Sequence, residues 1–275
     1  KVHAKALLVV REEHDGIVRY AHMGTGNYND KTAKLYTDMG LMTSRDDLTH
    51  ELVLFFNAIT GLSAPPSLRR LSMAPHTLRE RFTSLIEREI EQAKVTGTGR
   101  IVAKMNSLVD KDVITALYRA SQAGVEVRLN IRGICCLQAG VEGMSENISV
   151  VSVIGRYLEH ARIFHFHNGG EEEVFLASAD WMPRNLNRRV ELMFPLENAD
   201  HIARVKTALD FYFNDNYTAH DLLPDGSYKK RTPADGDEPR PSQAMFQAFF
   251  ENRTRSREVE QAKSGFTVRR RPPEQ

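Results

Sequence analysis

Two histidines in this chain stand two residues ahead of a permanent cation: His3-Ala4-Lys5 leads into ALLVV, and His160-Ala161-Arg162 leads into IFHF. Side chains alternate along a strand, so each histidine and its cation project to one face. Downstream, eleven residues separate Asn27 from Asp38 and eleven separate Asp180 from Glu191, and each acid runs into an apolar stretch, MGLMT or LMFPL. A neutral imidazole beside a Lys or Arg can attack phosphorus while the cation neutralises the phosphoryl oxygens as charge builds on them. A carboxylate such as Asp38 or Glu191 fixes the imidazole tautomer and aims its free nitrogen. Two such half-sites facing each other supply a nucleophile on one side and a general acid on the other. One copy alone reads as an ordinary strand edge; two copies at matched spacing point to a divided site.

The elements that must position these residues follow from patterning. Residues 2–10 read as a buried strand and 17–23 as its partner, joined through the hairpin signal Asp15-Gly16. A short strand over 39–43 precedes a helix that starts within 44–47 and carries Leu48, Leu52, Phe55 and Phe56. SAPPS at 63–67 reads as a linker. The second unit opens near Pro75 with an amphipathic helix marked by Leu78, Phe82, Leu85, Ile86 and Ile90. Strand 101–105, helix 110–122 ended by Gly124, and strand 125–131 form a βαβ unit, which argues for a parallel pair inside a mixed sheet. Strands near 148–154, 162–167, 173–178 and 190–195 follow, then a helix carrying Ile202, Val205, Leu209, Tyr212 and Phe213. Beyond 224 the Pro, Gly and charge content predicts a mobile segment, a short helix over 244–250 and a loose basic tail, RRRPPEQ.

The stretches KVHAK, VRYAHMGTGNYNDKTAKLYTD, NSLVDKDVITALYRASQAGVEVRLNIRGIC, RYLEHARIF and LASADWMPRNLNRRVE resemble the C-terminal catalytic region of the type 1 polyphosphate kinases, within the phospholipase D-like superfamily. They span most of residues 1–216. The resemblance implies an α/β fold: two phospholipase D-like domains with mixed sheets facing a shared active-site cleft. Residues 1–66 belong to the end of the first domain, 67–223 to the second, and 224–275 to a flexible extension. It also implies reversible transfer of the ATP γ-phosphate through a phosphohistidine to the end of a polyphosphate chain. His3 falls on the histidine that is phosphorylated and His160 on the second active-site histidine. Tyr36 falls on a nucleotide or phosphate contact, and Arg132 on a phosphate-binding arginine. Arg132 also follows the carboxyl end of a βαβ strand, where α/β sheets bind ligands. Lys5 and Arg162 complete the half-sites, Arg189 is a polyphosphate contact, and Asn27, Asp38, Asp180 and Glu191 support them. Magnesium is expected with ATP, its family ligands lying upstream, and the whole protein is expected to be a homo-oligomer. The phospholipase D pattern has an aspartate five places after its lysine, where Val10 and His167 stand here. A phosphodiesterase or nuclease, and a non-catalytic polyanion-binding fragment, are the alternatives.

Other signals are weaker. GTGNYNDKT lacks the Gly before Lys that a phosphate loop needs, and it has no third glycine for a dinucleotide fingerprint. His165 and His167 fall on the strand face opposite His160, so the three do not converge on a metal. In RNLNRR, Arg188 joins Arg189 as a polyphosphate contact and Arg184 is the weaker candidate; Arg69 and Arg70 read as surface residues. Trp181 either walls the site or belongs to the core. With 37 Lys and Arg against 36 Asp and Glu over 275 residues, net charge +1, no overall basic field points to nucleic acid, and an anion site must be local. The adjacent Cys135 and Cys136 fit neither a disulfide framework nor a zinc set and suggest a reducing compartment. No run is long enough for a membrane span, so a cytoplasmic place is expected, with a peripheral position at the inner membrane face left open. Beginning in mid-strand without Met, the chain reads as part of a longer one.

Overall fold

The computed structural model describes residues 1–264 apart from 15, 63 and 65, and side chains as far as 254. The chain opens with a hairpin of β1 (Lys5–Glu13) and β2 (Gly16–Gly24), then one helical turn α1 (Asp30–Ala33), β3 (Tyr36–Thr37), β4 (Gly40–Thr43) and helix α2 (Asp46–Ile59). Strands β1, β2 and β4 pair antiparallel in that order. Gly16, at φ 115°, pairs with Glu13; Asp15 lies outside the described residues, as do Ser63 and Pro65 of the expected linker.

The second half continues with β5 (Ser72–Ala74), α3 (Leu78–Thr96), β6 (Arg100–Met105), α4 (Lys111–Gln122), β7 (Glu126–Ile131), β8 (Ile148–Val153) and β9 (Leu158–Glu159). After these come β10 (Arg162–Phe166), β11 (Glu173–Ala177), α5 (Pro183–Arg188), β12 (Glu191–Leu196), α6 (Ala199–Phe213), β13 (Ala219–Leu222), β14 (Tyr228–Lys230) and α7 (Ser242–Ser264). Nine strands form one mixed sheet in the order β14-β13-β8-β7-β6-β10-β11-β12-β5. Within this sheet the β6–β7–β8 run is parallel: α4 supplies the crossover from β6 to β7, and residues 132–147 carry the chain from β7 to β8 without a helix. Asp110 caps α4 by accepting from the Val113 amide, and Gly124 follows it at φ 86°.

Alternation along β6 sorts the core into two layers. Ile101, Ala103 and Met105 pack with Leu78, Phe82, Ile86 and Leu117 of α3 and α4. Val102 faces the other way, with Ile163 and Leu192, toward α6, α2 and the small sheet. The small sheet thereby docks on the large one through Ala21, Met23, Leu48, Leu52 and Phe55. No helix among the described residues is long and apolar enough to cross a membrane.

Two expectations need correction. Strand β1 is not a core strand: Ala6 and Leu8 pack inward, but Leu7, Val9 and Val10 are 47%, 41% and 56% exposed. A three-stranded sheet with a helix on one side leaves its other face bare, and a run of consecutive apolar residues cannot distinguish the two faces. The region past 223 is also more ordered than its composition suggests. Strand β14 pairs with β13 at the edge of the large sheet, held by Arg231, which binds Asp221 and the carbonyls of Phe213 and Asp215. Helix α7 is 23 residues long rather than a short helix over 244–250, and its Phe246 packs at a tilt against Tyr212 of α6. The tail RRRPPEQ lies outside the described residues.

At the centre of the first layer Phe164 packs against Phe82 (ring centroids 4.6 Å apart) and Trp181 (5.1 Å). Phe164→Ala should lower unfolding free energy by about 3–5 kcal/mol, read from the denaturation midpoint.

Candidate active site

Two short backbone junctions between the halves build the site. In the first, Val2 bridges Val190 in parallel, and the amides of His3 and Ala4 donate to the Val190 carbonyl at 2.8 and 3.0 Å. That brings His3 beside Glu191 at the start of β12, and its Nδ1 lies 2.8 Å from Glu191 Oε2. In the second, β3 and β9 pair in parallel, and the amides of His160 and Ala161 donate to the Thr37 carbonyl. His160 Nδ1 thus comes within 2.8 Å of Asp38 Oδ1. The acids are exchanged: each histidine is oriented by a carboxylate from the other half of the chain. Tyr36, just ahead of Asp38, lays its ring 5.0 Å from that of His160.

Both carboxylates are fixed in turn by a hydroxyl thirteen residues upstream. Thr25 donates to Asp38 at 2.7 Å, and Ser178 donates to the fully buried Glu191. Asn185 of α5 donates to the other Glu191 oxygen at 2.8 Å. Gly26 leaves the space for Asp38, since a Cβ there would stand 2.5 Å from its carboxyl carbon.

The cations gather around this pair. Arg162 Nε and Nη2 reach Asp180 at 3.2 Å each, while Nη1 donates to the His160 carbonyl at 2.8 Å and stands 3.1 Å from His160 Nε2. Burial alone would raise the Asp180 carboxyl, but Arg162 and the Asn106 donors hold it below its ordinary range. Asn106 is a hub: its amide nitrogens donate to Asp180 and the His160 carbonyl, and its oxygen accepts from Arg132 Nε at 3.0 Å. Lys5 is 5% exposed and its Nζ has no hydrogen-bond partner. Burial first, then the charge of Arg162, pull its pKa down to about 8, with Glu191 and Asp38 opposing and Arg189 adding to the fall. Lys5 thus feels the charges of Arg162, Glu191, Asp38 and Arg189, and His160 feels those of Arg162, Asp38 and Lys5. Burial also pulls the His160 pKa below its ordinary value, assisted by Arg162 and Lys5 against the opposing Asp38, so the ring stands neutral at pH 7.

His3, Lys5, Tyr36, Asp38, Arg132, His160, Arg162, Asp180, Arg189 and Glu191 therefore come together, whereas Asn27 does not. It is exposed and its side chain bonds to nothing at the site. Arg184 and Arg188 lie exposed on α5. His165 and His167 turn toward Glu172, away from His160. Trp181 is fully buried against Phe82 and Phe164, a core residue rather than a wall. Cys135 and Cys136 are free thiols, one half-buried and one exposed. Sequence reasoning missed Thr25, Ser178, Asn106 and Asn185. The hydroxyls were signalled by the thirteen-residue interval they share with their acids, and Asn106 by its place past a parallel strand, as for Arg132.

Such an arrangement defines a divided two-histidine centre on an α/β frame, each half completing the other. Comparison with known proteins agrees with that class. Residues 1–65 match the family model described as polyphosphate kinase C-terminal domain 1, and residues 71–243 match polyphosphate kinase C-terminal domain 2. A polyphosphate kinase of Synechocystis sp. is 55% identical over 90% of this chain and 34% of its own length; one of Rhodopirellula baltica is 49% identical over 95% and 31%. A crystal structure of polyphosphate kinase from Porphyromonas gingivalis superposes with TM-score 0.87 at 39% identity, over 93% of this chain and 40% of that one. The chain belongs to the polyphosphate kinase family, and it spans about a third of the length of these curated relatives.

Two outcomes follow from the geometry. Tripolyphosphate binding, titrated calorimetrically, should weaken as pH rises through about 8, where Lys5 loses its proton, and Lys5→Met should remove that alkaline limb. Gly26→Ala should push Asp38 off His160 and lower turnover by about 10²-fold, the scale of a lost acid–base group, with little change in the folding midpoint.

Proposed function

We propose that this chain forms the catalytic core of an enzyme that moves the γ-phosphate of ATP onto the end of an inorganic polyphosphate chain, through a phosphohistidine. The observation that carries the reading is the buried, unpartnered Lys5 ammonium set among two carboxylate-held histidines and Arg162. A cation in that position is costly unless an anion completes it. Family membership supports reading that anion as a phosphate.

The steps follow from the orientation of each ring. With its Nδ1–H donating a hydrogen bond to Glu191, His3 presents the Nε2 lone pair to the γ-phosphorus; the N–P bond forms as the bond to the β,γ-bridging oxygen breaks and ADP leaves. A terminal oxygen of polyphosphate then attacks the same phosphorus, the P–N bond breaks, and the imidazole is regenerated one phosphate later. Lys5, Arg132, Arg162 and Arg189 neutralise the phosphoryl oxygens during both transfers. His160 rests neutral, with Nδ1 donating to Asp38 and Nε2 facing Arg162, so at rest it accepts from the guanidinium and helps to aim it at the incoming phosphate. It becomes a proton donor to the bridging oxygen only after phosphate charge has raised its affinity for a proton.

Magnesium is proposed to arrive with ATP, where it screens the nucleotide's charge. Asp38 and Glu191 are committed to histidines and Asp180 to Arg162, and no metal-holding cluster of His, Cys, Asp or Glu occurs among the described residues. These three acids are therefore not proposed as its ligands, and the ion and the nucleotide contacts that accompany it are assigned to the rest of the protein.

Incubating the whole protein with γ-labelled ATP should leave acid-labile, base-stable label that His3→Ala abolishes. Label persisting in that variant would overturn the phosphohistidine, and release of phosphate diesters without ATP would favour a phosphodiesterase. Label on the whole protein but none on residues 1–275 alone would mean that the core needs the rest of its chain for activity.

A further inference from the structure

Behind the catalytic face lies a second polar cluster that the reaction does not use. Glu159 precedes His160 and Thr37 precedes Asp38, so by strand alternation these two side chains point away from the substrate side. They meet there: Thr37 Oγ1 donates to Glu159 Oε2 at 2.7 Å. The same carboxylate accepts from Tyr212 OH of α6 at 2.8 Å and from Gln243 Nε2 of α7 at 2.7 Å, and pairs with Lys104 Nζ of β6 at 3.1 Å. Glu159, Lys104 and Tyr212 are each 2% exposed or less.

Gln243 does more than touch the carboxylate. Its side-chain oxygen accepts from the Tyr157 amide at 3.0 Å and its nitrogen donates to the Tyr157 carbonyl at 2.8 Å. One amide thus caps the backbone entering β9 and the acid beside His160. Gly155 makes the approach possible, because a Cβ there would stand 2.5 Å from Gln243 Oε1. Further along α7, Phe246 packs on Tyr212, and Phe246, Gln247 and Phe250 line a cavity of about 320 Å³ together with Asp38 and Glu159.

We infer that Glu159, Lys104, Tyr212 and Gln243 are positioning residues that hold β9 in register with β3, and that through Gln243 helix α7 sets the orientation of His160 against Asp38. The β3–β9 pairing is two residues per strand, too short to fix a register by its backbone bonds alone. A buried acid with four partners from four elements supplies the missing constraint. Loss of one donor frees the strand to shift, and a small shift breaks the contact between His160 and Asp38 while leaving His3 and Glu191, stitched at the other junction, in place.

The inference rests on the reading of His160 as part of a phosphoryl-transfer site, but its test does not need turnover. In the whole protein, diethylpyrocarbonate modification is followed peptide by peptide in wild type, Gln243→Ala and Tyr212→Phe. His160 should be modified at least threefold faster in both variants, while His3, an internal control in the same molecule, stays within 1.5-fold. An unchanged His160 rate, or the same rise at both histidines, overturns the proposal. Both substitutions are mild; Glu159→Gln is a third variant, kept if it folds, and should give the largest rise at His160 alone. In parallel, Gln243→Ala should lower kcat for polyphosphate synthesis about fivefold with KM for ATP within twofold. If the wild-type protein makes no polyphosphate, the function is wrong and the histidine rates still decide the positioning role.

Discussion

A neutral imidazole has two tautomers, and only one offers its Nε2 lone pair when Nδ1 carries the proton. Holding that proton on a fixed acceptor is the constraint around which this protein is arranged. The acceptor is supplied across a junction in both cases, Glu191 for His3 and Asp38 for His160. Neither half can therefore orient its own histidine. The two sheets must dock in one register, and the backbone pairs at Val2 with Val190 and at Tyr36–Thr37 with Leu158–Glu159 set that register where it matters.

The same crossing concentrates charge. Four cations, Lys5, Arg132, Arg162 and Arg189, share the site with three carboxylates, and the carboxylates are already engaged by the histidines and by Arg162. Lys5 is left as a buried ammonium with no hydrogen-bond acceptor, an arrangement that costs folding free energy in the empty protein. Under the proposed function a phosphate oxygen relieves that cost on arrival, and part of the binding energy is then stored in the fold. Buried polar groups of this density hold together because nearly every other member is satisfied, through Thr25, Ser178, Asn185 and Asn106.

Much of this was legible in the residues themselves. The repeated His-x-cation motif located both histidines, and the eleven-residue interval to an acid located both carboxylates, because a repeat preserves the distance from a strand end to the next strand. What the interval hid was the exchange. Spacing within a half cannot reveal that its acid serves the other half, since that depends on how two sheets dock. The same interval misled at Asn27, which matches Asp180 in position but stays in solvent. Strand β1 was overread as buried because apolar content reports a strand without reporting how many of its faces are covered. Past residue 223, charge and proline masked a hairpin held by Arg231, a tertiary contact with no local signature. The Glu159 cluster was invisible for a related reason: its members are scattered from residue 37 to residue 243 and meet only in the fold.

The crossed carboxylates are tested most directly by separating the two half-reactions in single-acid variants. Acid-labile label on His3 from γ-labelled ATP, and its later transfer to polyphosphate, are timed in Glu191→Gln and in Asp38→Asn. The arrangement predicts that Glu191→Gln slows label formation on His3 by about 10²-fold or more. Asp38→Asn should slow it less, because Asp38 reaches this step only through His160 at the bridging oxygen. The reverse pattern, with Asp38→Asn suppressing the His3 label and Glu191→Gln sparing it, would contradict the exchange of acids between the halves.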